Sequence, residues 1–147
     1  MTLRTVGLNI AVAAGLLVSA ASHGYLYLHG YRYIPAVGPG FLLLTSVFVA
    51  LAILIALGGP AWLRAAALLL SLGAVGAFVL SRTVGLFGFV EHGWQPAPHA
   101  LVSLVAEVIT VALCAVSLSR HPKKMHVGSS LISRSSRSTA GSGGSGS

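Results

Sequence analysis

Charged residues, and acidic ones above all, are scarce in this chain of 147 residues. It contains 2 Asp+Glu and 9 Lys+Arg, and charged residues make up 7% of it, against about a quarter in an ordinary soluble domain. Hydrophobic residues make up 55%, and the mean hydropathy is +0.88. These values exclude a soluble globular domain. They also exclude disorder outside the polar C-terminal stretch, because disordered chains need low hydrophobicity. We therefore predict an integral membrane protein.

The chain also has a single cysteine and no aspartate. Cys114 is the single cysteine, which excludes an internal disulfide and a cysteine-based zinc site. There is no aspartate for a hydrolytic triad, and no glycine-rich loop of the phosphate-binding type occurs. The basic residues that follow the last apolar run have no aromatic residues among them, so we expect no nucleic-acid partner. The sequence predicts a protein that is not an enzyme.

Four apolar runs approach the roughly 20 residues that a membrane-spanning helix needs. They cover residues 6–27, 37–57, 62–82 and 99–118. The predicted fold is all-α, an integral membrane four-helix bundle formed by residues 1–120. Residues 121–147 are first basic and then rich in Ser and Gly, which predicts a flexible tail, and residues 141–147 resemble an engineered linker.

The distribution of basic residues predicts the orientation of the bundle. One side of the membrane would hold Arg4, Arg64, Arg120, Lys123 and Lys124, and the other would hold Arg32 and Arg82. Because cytoplasmic loops carry the excess of Lys and Arg, we expect both termini in the cytoplasm and a multi-pass protein of the plasma membrane.

A polar stripe runs along the fourth predicted helix. Its members recur every three or four residues and so share one helical face: His99, Ser103, Glu107, Thr110, Cys114 and Ser117. Since a carboxylate in hydrocarbon is costly, this face must point into the bundle. On the first helix the small residues Ala11, Gly15 and Ser19 lead to His23 at intervals of four, a pattern that favours close helix packing. If these helices are neighbours, His23 and His99 face each other.

These positions suggest a buried polar network of Arg82, Glu107, His23, His99 and Ser103. Arg82 is the cation we expect to pair with Glu107 and to set the helix register, and Glu91 is the rival partner of Arg82. Glu107 alternatively binds and releases protons, since intramembrane carboxylates often mark ion pathways.

The histidines allow a second interpretation. Two histidines on different helices can supply both axial ligands of a b-type haem, or can help to hold a transition metal, so His23 and His99 are the candidate ligands. A candidate site in the outer loops comprises Glu91, His92, Trp94 and His29. The spacing matches no strong metal motif, and we predict no cofactor.

The segment Ser81-Arg-Thr-Val-Gly-Leu-Phe-Gly-Phe-Val-Glu-His-Gly-Trp-Gln-Pro96, with Ser103-Leu-Val-Ala-Glu107 after it, carries a family resemblance. It resembles small, mostly uncharacterised four-helix membrane proteins of actinobacteria, whose usual pattern is Ser-Arg-Thr-x-Gly-Leu-Pro-Gly. Phe87 stands where that proline would be. The resemblance covers roughly residues 81–107. It implies that Arg82, Glu91, Trp94, Pro96 and Glu107 belong together, and it brings no known activity.

The functional hypothesis from the sequence is a non-enzymatic accessory or scaffolding subunit of a larger plasma-membrane complex. Its partners would be the lipid bilayer and other membrane protein subunits. One alternative is a haem- or metal-binding redox protein that uses His23 and His99. Another is a proton- or ion-conducting bundle centred on Glu107.

Overall fold

The computed structural model describes residues 3–85, residue 90 and residues 98–119. The long helices are α1 (Leu3–Leu28), α2 (Val37–Ala56), α3 (Ala61–Arg82) and α4 (His99–Ser119), and a short 3-10 turn covers Tyr31–Tyr33. All four helices are long and apolar enough to cross a membrane. The all-α prediction, with four helices of membrane-spanning length, is confirmed. α1 begins three residues earlier than the apolar run suggested, because its first turn includes the polar residues Arg4 and Thr5.

Helices α1 and α4 form the central pair of the bundle. α1 packs against α2 on one side and α4 on the other, and α4 also packs against α3. α2 and α3 touch each other much less, although they are consecutive in the chain. The first and fourth helices are therefore neighbours, and side chains from these two helices can meet in the interior.

A tight turn joins α2 to α3. Gly58 has a positive φ of 85°, and its N–H donates to the carbonyl of Ile55 at 3.0 Å while the N–H of Gly59 donates to that of Leu54 at 3.0 Å. These two bonds form a Schellman motif, which needs a left-handed residue and so favours glycine. We call the end of the bundle that holds this turn, Leu3 and Ser119 the turn end. The 3-10 turn lies at the opposite end.

The buried face of α1 follows a heptad-like spacing of alternating three and four residues. Its members are Asn9, Val12, Leu16, Ser19, His23 and Leu26. This spacing is typical of left-handed helix packing. The predicted face at strict intervals of four was only partly right, since Ala11 is exposed and Gly15 is half-buried. Each four-residue step rotates the direction of the side chain by about 40°, so such a series drifts off the core.

The polar stripe on α4 is buried as predicted, with the same alternating spacing. The buried residues with this spacing are Ala100, Ser103, Glu107, Thr110, Cys114 and Ser117, and Ala106 beside Glu107 is buried as well. His99, at the first position of the helix, is half-buried. The stripe therefore faces α1 and α3 while the Leu, Val and Ile side chains of α4 face outward.

An apolar layer separates two polar regions of the interior. Val12, Leu16, Phe48 and Ile55 are 0% exposed and pack together with Leu63 and Ala67. Along α1, Val12 and Leu16 lie between Asn9, near the turn end, and Ser19. The bundle thus has two buried polar sites with an apolar core between them.

Candidate functional site

The Glu107 carboxylate is the centre of the first polar site. Glu107 is 2% exposed. Its Oε1 accepts a hydrogen bond of 2.8 Å from the Ser19 hydroxyl and lies 2.8 Å from Nε2 of His23. Ser19 and His23 are one turn apart on α1, so both side chains reach a single oxygen on α4. This network links the two central helices.

His23 is enclosed by aromatic rings from α2. It is 5% exposed, its ring stacks on Phe41 with centroids 5.2 Å apart, and Phe48 lies 6.1 Å away. With Glu107 it forms either an ion pair or a hydrogen bond between two neutral groups. Both forms have no net charge, which is the condition that apolar surroundings favour.

Close approach of α1 and α4 makes this network possible. A Cβ added at Gly15 would clash with Oγ1 of Thr110, and that hydroxyl donates to the carbonyl of Ala106 at 2.8 Å. Gly15 therefore lets the backbones come near enough for side chains as short as Ser19 to reach across. The small-residue pattern on α1 indicated this packing correctly at Gly15.

The predicted Arg82–Glu107 pair is wrong. Among the described residues, the titratable side chain in contact with the Glu107 carboxylate is His23, 2.8 Å away, while the Arg82 guanidinium lies 4.5 Å from the centroid of the Phe78 ring. Arg82 ends α3, whereas Glu107 lies eight residues into α4, about 12 Å below its start. His23 reaches Glu107 instead, because α1 packs directly against that face of α4. Glu91, the rival partner, lies outside the described residues.

His99 and Ser103 belong to the same stripe but have other partners. The His99 ring stacks on Tyr25 with centroids 3.8 Å apart, and His29 stacks on the same tyrosine, also at 3.8 Å. Ser103 donates to the carbonyl of Ala100 within its own helix at 3.1 Å. His92 and Trp94, the other members of the predicted loop site, lie outside the described residues.

The contacts of the histidines bear on the cofactor hypothesis. Nε2 of His23 is engaged by Glu107 and its ring is stacked on Phe41, whereas His99 stacks on Tyr25. A haem or metal at His23 Nε2 would require the bond to Glu107 to break. Within residues 3–85, 90 and 98–119, no three His, Cys, Asp or Glu side chains are grouped so that they could hold a metal.

Sequence reasoning missed the second polar site, near the turn end. A terminal nitrogen of Arg64 on α3 donates to Oδ1 of Asn9 on α1 at 3.2 Å. Both residues are buried, with 5% and 1% exposure respectively. The count of basic residues on each side of the membrane uses Arg64 only as a charge. The signal available in the sequence was the seven-residue spacing of Asn9, Leu16 and His23, which puts the asparagine on the core face.

A groove of about 490 Å³ runs between α1 and α4 on the outside of the bundle. Apolar side chains and one glycine line it: Ala11, Gly15, Val18, Leu101, Val102, Val105, Ala106, Ile109 and Leu113. Val105 and Ile109 are each 50% exposed. The lining thus combines the small residues Ala11, Gly15 and Ala106 with larger, mostly branched side chains.

Comparison with models of protein families, with curated proteins and with solved structures found no match for this chain. The fold and the contacts define a four-helix protein whose helices are long and apolar enough to cross a membrane, with two buried polar sites and an apolar groove on its surface.

Proposed function

We propose that this chain is a non-enzymatic accessory or scaffolding subunit of a larger plasma-membrane complex, with both termini in the cytoplasm. The observation that supports the proposal is the apolar groove between α1 and α4. Its expected occupant is a transmembrane helix of another membrane protein.

The shape of the groove suits a helix. Helices in lipid associate by close packing rather than by hydrophobic exclusion from water, and small residues allow that approach. Ala11, Gly15 and Ala106 supply small residues in the lining, and Val105 and Ile109 supply ridges. The carboxylate of Glu107 is bonded inside the bundle and does not line the groove, so packing alone would hold the partner.

The charge distribution supports the orientation. Arg4 and Arg64 lie near the turn end, and Arg120, Lys123 and Lys124 directly follow the end of α4 at Ser119. Fewer basic residues, Arg32 and Arg82, lie near the opposite end. The positive-inside rule therefore favours a cytoplasmic turn end.

Cross-linking from the groove tests the proposal. In a Cys114→Ser background, Val105→Cys would place a thiol-attached photo-cross-linker in the groove of the protein in its native membrane. The matched control is Val79→Cys on α3, since the two valines are 50% and 52% exposed. We expect one adduct of defined mass with a different membrane protein from position 105 only. Adducts between two copies of this chain, or equal products from both positions, would contradict the proposal.

Proton binding at Glu107 is the second candidate function, and the 2.8 Å contact with His23 favours it. The other ring nitrogen of His23, Nδ1, has no hydrogen-bond partner among the described residues and is the atom from which a proton would pass onward. The apolar layer around Val12, Leu16 and Phe48 closes the way toward the turn end. The geometry thus favours proton binding from the opposite end over conduction.

Proton flux into liposomes separates these two possibilities. A binding site without conduction predicts equal, background flux for the wild type and for Glu107→Gln, with the infrared carboxyl band of Glu107 still responding to pH. Flux in the wild type that disappears in Glu107→Gln would instead establish conduction. No response of the carboxyl band would refute proton binding.

A further inference from the structure

Arg64 is a buried cation, and no carboxylate among the described residues pairs with it. It is 5% exposed, and its hydrogen-bond partner among the described residues is the neutral side-chain oxygen of Asn9. Its Nε and the Nδ2 of Asn9 are buried and have no hydrogen-bond partner in the same part of the chain. An uncompensated buried charge is strongly unfavourable, so this site calls for an anion.

The acidic residues of the chain are few, and the one that the structure describes does not supply that anion. There are two, Glu91 and Glu107. Glu107 is bonded to Ser19 and His23. Glu91 belongs to the connection that follows α3, and Arg64 is eighteen residues before the end of that helix at Arg82, about 27 Å away along its axis. No carboxylate among the described residues is therefore paired with Arg64, and a counter-ion from another molecule would satisfy it.

The surroundings of Arg64 favour a negatively charged group. Arg64 lies in the first turn of α3, where Pro60 provides no side-chain cap and no acidic residue is present. The N–H groups of such a turn attract anions. Arg4 lies at the same end, and in the sequence Arg120, Lys123 and Lys124 follow Ser119, the last residue of α4. A basic cluster at the end of membrane helices is where lipid headgroups lie.

We propose that Arg64 and Asn9 bind the phosphate of an anionic membrane lipid. The guanidinium would offer Nε and a terminal nitrogen as parallel donors to two phosphate oxygens, the geometry for which arginine is suited. Nδ2 of Asn9 would donate to the same phosphate. The lipid would thereby join α1 to α3, two helices that the bundle otherwise connects mainly through α4.

Native mass spectrometry of the full chain tests this site. The protein would be released from bilayer discs containing equal amounts of phosphatidylglycerol and phosphatidylcholine, whose choline group neutralises its own phosphate. We expect the wild type to retain phosphatidylglycerol in about tenfold preference, as expected for hydrogen bonds to a charged donor. Arg64→Gln should abolish the preference. Arg4→Gln removes the same charge from an exposed position at the same end and should keep it.

Several outcomes would overturn the proposal. One such outcome is a wild type that shows no preference between the two lipids. Another is an Arg4→Gln variant that loses as much of the preference as Arg64→Gln, because the effect would then be one of general surface charge. Displacement of the lipid by millimolar inorganic phosphate would show a site for the free ion instead of a lipid. Should Arg64→Gln not fold, Arg64→Lys replaces it: this variant retains charge without the fork of donors, so the preference should fall, and an unchanged preference would refute the bidentate site.

Discussion

Breaking the His23–Glu107 contact should destabilise the bundle through the group that is left behind. In His23→Ala the carboxylate keeps the Ser19 hydroxyl but loses its bond to the imidazole. A hydrogen bond to a charged group contributes about 1.5–3 kcal/mol, and a buried ion left without its partner costs about 3–5 kcal/mol. We expect His23→Ala and Glu107→Ala each to lower the free energy of unfolding by about 3 kcal/mol, at the lower end of that range.

The double variant carries the decisive information. With both groups removed no unpaired charge remains, so His23→Ala/Glu107→Ala should cost about 2 kcal/mol less than the two single losses together, a coupling within the range for residues in contact. The assay is reversible unfolding in mixed micelles followed by circular dichroism. Ser103→Ala is the control, because this buried hydroxyl bonds within its own helix; it should lose no more than about 1 kcal/mol.

Additivity of the two single losses within about 0.5 kcal/mol would refute the reasoning, since independent sites behave in that way. The contact between His23 on α1 and Glu107 on α4 would then contribute nothing to the free energy of unfolding. A loss in Ser103→Ala as large as that in His23→Ala would also contradict it, because the cost would then reflect any polar residue on this face rather than the pair.

Three further expectations follow from the same contacts. The losses caused by Arg82→Ala and Glu107→Ala should add within about 0.5 kcal/mol in the unfolding assay, because these side chains are not paired with each other; a coupling above about 1 kcal/mol would restore the pair. Gly15→Ala should cost about 1–3 kcal/mol by overpacking against α4, whereas Gly73→Ala, where a Cβ meets nothing within 4 Å, should be neutral or stabilising; equal effects on unfolding would contradict the close packing. The buried thiol of Cys114, 0% exposed, should resist a lipid-soluble maleimide in the folded protein and react on unfolding. Mass spectrometry measures the labelling, and rapid labelling of the folded chain would contradict the closed core.

The number, type and length of the helices follow from local properties of the chain. An apolar run of about 20 residues is a membrane-spanning helix whatever its neighbours are, because lipid offers the backbone no hydrogen bonds outside the helix. The stripe on α4 follows in the same way. Glu107 cannot face hydrocarbon cheaply, and the residues on its heptad face must then share its burial. Each of these features belongs to a single helix, and in the structure the polar face of α4 is buried from Ser103 to Ser117.

The partners of the polar residues depend instead on how the helices rotate and pair. From the sequence, Arg82 is the predicted partner of Glu107, because Arg82 carries the opposite charge at about the same depth in the membrane. His23 holds that place because α1 packs between α2 and α4 and turns Asn9, Leu16 and His23 toward the core. The sequence does not fix the rotation of α1 about its axis, since nearly all its residues are apolar or small and several of its faces are equally suited to burial in the core.

Arg64 shows the same limit from the other side. Counting basic residues uses only its charge, and by that measure it resembles the exposed Arg4. The guanidinium is buried against Asn9 because α1 and α3 are in contact there, although Asn9 and Arg64 are 55 positions apart in the chain. By itself, then, the sequence determined a membrane protein of four helices with a buried polar face on the last one, because hydropathy acts locally. Tertiary structure decided which polar groups meet, because hydrogen bonds act over about 3 Å and depend on the register and rotation of helices distant in sequence.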